Sequence, residues 1–114
     1  PAMVKQNLPA TLGDYIDTIS YLAEQAGVDH VGLGPDFMEA MPLEVIKTVL
    51  RGLPPDVLKF MKDMPPMDGF SSAAETANVT AHLIESMFDP EDVRKIIGGN
   101  WLRLYETVWH DLSI

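Results

Sequence analysis

The chain has 114 residues, enough for one modest core, and its 46% hydrophobic and 22% charged residues mark it as globular rather than disordered. Asp and Glu number 17 against 8 Lys and Arg, a formal net charge of −9, which excludes phosphate backbones and anionic lipid surfaces as partners, so neither nucleic acid nor membrane binding is expected. The absence of cysteine excludes disulfides and thiolate metal sites and favours a cytoplasmic setting, and no apolar run approaches the roughly 20 residues of a bilayer span.

Residues 1–10 read as a linker-like lead-in. The chain opens at Pro1 rather than Met, as a tag remnant or a cut inside a longer protein would. Thr11 and Asp14 have the spacing of a capping box with Asp in place of Glu. Leu12, Tyr15, Ile16, Ile19, Leu22, Ala23 and Ala26 follow at helical spacing, giving a helix over residues 11–26 with one apolar stripe for the core. Gly27 stands where a helix ends on a residue of positive φ, which glycine reaches at no steric cost. Val28, His30, Val31 and Leu33 then form a short apolar run closed by Pro35, the pattern of a buried strand. Gly32 and Gly34 point to a close approach by backbone, ligand or side chains. Asp36 lies just past the C-terminal end of this expected strand, where parallel α/β folds put their chemistry. From the residues alone, a turn or cap role is the preferred reading of Asp36.

Beyond Asp36, residues 42–51 read as a helix stopped by Gly52, and residues 55–64 as a shorter one ended by Pro65 and Pro66. Met38, Met41, Met61, Met64 and Met67 crowd this part; core filling is the expected role, with the lining of a hydrophobic cleft as the alternative. Residues 78–87 read as another helix. Asn78 either caps it or, with Val79 and Thr80, forms a glycosylation sequon. Asp89, Pro90, Glu91 and Asp92 suit the start of a further helix better than a calcium loop, whose alternating ligands and distal Glu are missing. Gly98 and Gly99 break that helix and Asn100 is expected to cap the next, on which Trp101, Leu102, Leu104, Tyr105, Val108 and Trp109 form a broad apolar face. A DNA-reading pair of helices is excluded there by the acidity and the single Arg103. His30, His82 and His110 are too far apart for a local zinc motif. His30 is expected in the core, and His82 and His110 at the surface or its boundary.

The run from Gly27 to Phe37, Gly-Val-Asp-His-Val-Gly-Leu-Gly-Pro-Asp-Phe, resembles the last barrel strand of the membrane (renal) dipeptidases, zinc peptidases of the amidohydrolase superfamily. Residues 89–106, in which an acidic-capped helix runs into Gly-Gly-Asn and a closing helix, resemble that family's C-terminal signature, and residues 11–26 its helix before the last strand. The resemblance implies that the chain is one C-terminal segment of an α/β TIM-type barrel. In itself it is mainly α-helical with one short barrel strand: helix and last strand over 1–37, a helical insert over 38–76, and closing helices over 77–114. It implies a catalytic role for Asp36, which takes a proton from the attacking water and passes it to the leaving amine of a dipeptide. It also implies zinc bound by residues outside this chain. Family members commonly follow Asp-Phe with Asp-Gly; here Met38 and Glu39 follow, so Phe37, Met38 and Glu39 are candidates for a substrate-facing loop of altered shape and charge. A strand with no second strand in the same chain is expected to be unpaired, paired with another copy, or covered by the rest of the barrel. The chain alone is expected to bind zinc weakly and cleave nothing, since it offers no cluster of about four ligands. The alternative is a stand-alone acidic helical module that binds a protein partner through residues 38–67. A reading frame continuing upstream into a His-x-Asp motif would decide between the two.

Overall fold

A computed structural model describes residues 10–109, and among these the regular structure is entirely helical. Helix α1 (Leu12–Ala26) starts on the expected capping box: the Thr11 hydroxyl accepts from the Asp14 N–H at 3.1 Å and the Asp14 carboxylate accepts from the Thr11 N–H at 3.0 Å. It ends at Gly27, whose φ of 86° only glycine adopts readily and whose N–H donates to the Ala23 carbonyl at 2.9 Å. After a 3₁₀ turn (Val28–His30) and an irregular stretch come two short helices, α2 (Leu43–Val49) and α3 (Pro55–Asp63). A second 3₁₀ turn (Ala73–Glu75) leads into α4 (Thr76–Glu85), followed by α5 (Pro90–Arg94), a wide turn (Lys95–Gly99) kinked at Gly98, and α6 (Asn100–Trp109).

The core forms where α1 packs on α4 and α4 on α5. Leu12, Ile16 and Ile19 from α1 meet Val79 and Leu83 from α4, with Val93, Ile96, Val31 and Phe70 completing the cluster. Val79, Leu83 and Ile96 are wholly enclosed. Each such side chain contributes roughly 1.5–3 kcal/mol through removal from water. In α1 the innermost part of the expected stripe is buried, whereas Leu22 and Ala26 at its C-terminal end are exposed.

The mainly helical expectation is met among the described residues, but the expected strand is not formed. Residues 28–30 turn: the His30 N–H donates to the Gly27 carbonyl at 3.0 Å and the Val31 N–H to the Val28 carbonyl at 3.3 Å. A strand needs a neighbour for its peptide groups. No described segment supplies one, so local turn bonds replace the inter-strand bonds, and Val31 (φ −110°, ψ 132°) has extended geometry at the turn's exit. The turn breaks the in-and-out alternation of a strand, which is why His30 is exposed rather than in the core as expected.

Other expectations shift with the geometry. Asn78 is neither cap nor free: α4 begins two residues earlier, and the Asn78 amide donates to the Gly69 carbonyl at 2.8 Å. Of the methionines, Met67 packs on the core and Met38 is half-buried, but Met41, Met61 and Met64 are exposed, so core filling holds for only part of the group. Asp89 precedes Pro90 in α5 as expected, without a side-chain cap bond. His82 sits at the surface boundary, its Nδ1 2.9 Å from the Asn78 carbonyl oxygen. The lead-in over residues 1–9 and His110 lie outside the described residues.

Candidate functional site

The two stretches that carry the resemblance, far apart in sequence, meet in space. Asn100, expected as a cap, is instead the first residue of α6 with helical φ −67° and ψ −40°, and it is buried. Its amide donates at 2.8 Å to both the Val28 and the Val31 carbonyl, and its Oδ1 accepts from Arg103 at 2.9 Å. One side chain thus supplies the donors that a neighbouring strand would otherwise give to this segment. Arg103 also donates to the Asp29 carbonyl, and Lys95 pairs with the Asp29 carboxylate at 2.8 Å. That ammonium, by hydrogen bond first and by charge second, holds the Asp29 carboxyl below the usual carboxylate range, and Asp29 in turn raises Lys95.

Further along, the Trp101 indole N–H donates to the Leu33 carbonyl at 2.9 Å. The ring lies across the bare face of Gly32, where a Cβ would come within 2.6 Å of Nε1 and 2.9 Å of Cδ1. Gly32 therefore answers the expected close approach, with a side chain as the approaching group. Gly34 meets nothing and stands open.

On the opposite flank, Phe37 packs edge-on against Phe70 at 5.1 Å between ring centres, and Tyr15 leans on Phe70 at 5.3 Å. Burial pushes the Tyr15 phenol up, opposed by a hydrogen bond from the Gly34 backbone. Beyond Phe37, the Glu39 carboxylate accepts from the Ala73 N–H at 3.0 Å, tying this loop to the turn before α4. Met38 between them is half-buried.

Asp36 sits between these fixed flanks. Its φ of 56° is left-handed, a conformation that Asp tolerates better than most residues, and its side chain is exposed. Among the described residues no hydrogen bond or ion pair engages its carboxylate, and it makes no cap bond. The segment thus displays a carboxylate at a bend, beside the open Cα of Gly34, with both approaches to the bend anchored. Of the substrate-loop candidates, Phe37 and Glu39 have contacts within the fold that also serve to hold the bend.

A separate open cleft of about 490 Å³ runs between α1 and residues 86–92, lined by Ser20, Glu24, Val28, Phe88, Asp89 and Asp92 among others. Asp36 does not line it. Among the described residues no group of three or more His, Asp or Glu is arranged to hold a metal ion. The described side chains therefore do not fit a zinc site by themselves.

The contacts that reading the residues missed are those of Asn100, Trp101 and Arg103. Asn after Gly-Gly has the signature of a helix cap, and Trp101 that of an apolar face. Gly32 and Gly34 are the visible signs of a close approach; only Gly32 meets one, and a glycine does not name its partner.

No solved structure matches the chain. No helix of the described residues is long and apolar enough to cross a membrane. Residues 1–50 match the family model described as membrane dipeptidase (peptidase family M19). The matched part takes in α1, the anchored segment, Asp36 and α2, but not α6. Residues 1–50, somewhat under half of the chain, are therefore similar to the membrane dipeptidase family.

Proposed function

We propose that the chain is the C-terminal part of a zinc-dependent dipeptidase and that Asp36 is its general acid–base group. Asp36 takes a proton from the water that attacks the peptide carbonyl and returns it to the leaving amine of a dipeptide. Zinc, which the resemblance implies, would be held by residues outside this chain, where it would polarise the peptide carbonyl. The observation that carries the reading is an exposed carboxylate without a partner among the described residues, held at a left-handed bend inside the stretch that matches the dipeptidase family. A carboxylate that capped a turn or helix would be expected to bond to a nearby N–H. The open face of Gly34 leaves room for a substrate backbone beside it.

The test is Asp36→Asn in the full-length enzyme. Asn keeps the volume and loses the proton acceptor, so kcat should fall on the order of a hundred- to ten-thousand-fold. KM should move far less, and zinc content should stay the same. Loss of zinc would make Asp36 a ligand, and full activity would make it a structural turn residue.

One observation favours the second reading, an acidic helical module that binds a protein partner through residues 38–67: α2 and α3 bury no residue, and Leu43, Val49, Phe60 and Met64 are all exposed.

A further inference from the structure

Asp36 is placed by backbone alone, since none of its own side-chain atoms is held by a described residue. Whatever fixes the backbone just before it therefore fixes the carboxylate. The last anchored peptide group upstream joins Leu33 to Gly34: its carbonyl is held by the Trp101 indole at 2.9 Å, and its N–H faces the Tyr15 phenol. From there only Gly34 and Pro35 lead to Asp36, and Pro35 has its φ set by its ring. The indole reaches Leu33 across Gly32, where a single added carbon would sit 2.6 Å from Nε1. On the far side the Phe37 ring is fixed against Phe70. We infer that Trp101 is a positioning residue for Asp36: α6 sets the reach of the carboxylate through the Trp101–Leu33 hydrogen bond and the bare face of Gly32. The inference rests on the acid–base reading of Asp36, and it extends that site to a helix beyond the residues that match the family.

Trp101 suits a test because it is 40% exposed, so trimming it does not hollow the core. In the full-length enzyme, Trp101→Phe keeps an aromatic ring and removes only the indole and its N–H. Losing one hydrogen bond that orients a reacting group should lower kcat about tenfold. KM should stay within about twofold, because ground-state binding does not use the acid–base group. Zinc content should not change. The sharper measurement is made in the Asp36→Asn background, where Trp101→Phe should have no further effect on kcat, since the group it positions is already disabled. A merely structural tryptophan would slow both backgrounds equally.

A second variant avoids changing Trp101. Gly32→Ala should expel the indole, so the Trp101 indole proton should exchange with solvent as fast as that of the exposed Trp109, whereas in the wild type it should exchange more slowly. Its kcat should fall at least as far as that of Trp101→Phe. If Trp101→Phe leaves kcat within about twofold while Asp36→Asn is slow, the inference is overturned and the acid–base reading stands. If Asp36→Asn is fully active, the reading fails and the inference with it. Equal slowing by Trp101→Phe in both backgrounds also overturns it.

Discussion

Residues 28–37 and residues 43–64 are both rich in apolar side chains, yet the fold treats them in opposite ways. The first has little regular structure beyond one 3₁₀ turn, but Asn100, Trp101, Arg103 and Lys95 hold it and Val31 enters the core. The second forms two regular helices, α2 and α3, that bury no residue at all and leave Leu43, Val49 and Phe60 more than half exposed. Regular secondary structure is thus no guide to how firmly a segment of this chain is fixed. Helices of 7 and 9 residues are too short to be stable on local bonds alone. The salt bridges within them, Lys47 with Glu44 and Lys59 with Asp63, are exposed and add little. Tertiary contact, not helicity, fixes the segment that carries Asp36.

The largest expected effect separates the core from the α2–α3 arm. Leu83→Ala removes a wholly enclosed side chain at the contact of α4 with α1, and should cost about 2–5 kcal/mol in chemical denaturation. Phe60→Ala removes a larger side chain that is 67% exposed, and should change stability by no more than about 0.5 kcal/mol. Comparable losses from the two would mean that α3 is packed in solution against a surface it does not touch in this structure.

A smaller effect tests the polar anchoring of residues 28–31. Asn100→Leu keeps a side chain of similar size but withdraws the donors from the Val28 and Val31 carbonyls and the acceptor from Arg103. Two carbonyls left without partners and a displaced Arg103 should cost about 1–3 kcal/mol. Amide exchange should speed up at His30 and Val31, whose N–H groups close the turn, ahead of those inside α1. Uniform speeding throughout the fold would show Asn100 acting on global stability instead of on the segment.

Much of the helical layout was legible before any coordinates, because its signals are local. The Thr11 and Asp14 spacing, the positive-φ position at Gly27 and Pro55 in a first turn each depend on neighbouring residues, and each recurs in the structure. Helix α2, by contrast, stops at Val49, short of Gly52, which takes its positive φ in the turn beyond. The segment at 28–33 was not legible, since an apolar run becomes a strand only beside another strand. Asn100 shows the same limit at one residue. Its type and its place after Gly-Gly fit a cap, and only the fold brings the Val28 and Val31 carbonyls within its reach. The apolar face of α6 was read correctly as a pattern, with Trp101 stacked on Tyr105 and Tyr105 on Trp109, but these side chains stay 40% to 55% exposed. Periodicity finds such a face and does not say what covers it.

The smallest expected effect is a pH dependence that rests mainly on one cation, Lys95, with smaller contributions from Arg103 and His30. Lys95 holds Asp29 below its ordinary value, so the folded state binds that proton less readily than the unfolded chain. Stability from the pair is therefore present above the ordinary carboxylate range and is lost as pH falls through the lowered folded value. Lys95 is shifted upward, so its share is present below its ordinary value and is lost as pH rises through the raised one. Glu75 is lowered too, by the Ser71 N–H at 2.7 Å and the Ser71 hydroxyl at 2.9 Å, with no lysine involved. Lys95→Met keeps the aliphatic stem and removes the charge. It should flatten only the Asp29 part of the acid limb, measured as denaturation midpoints between about pH 2 and pH 5, and leave the Glu75 part. Salt at about 1 M, where charges are screened beyond about 3 Å, should weaken the wild-type dependence toward that of the variant. Both groups are solvent-facing, so the change should be slight. An acid limb identical in wild type and Lys95→Met would mean that the Lys95–Asp29 pair does not persist in solution, leaving residues 28–31 held to α6 by Asn100 and Arg103.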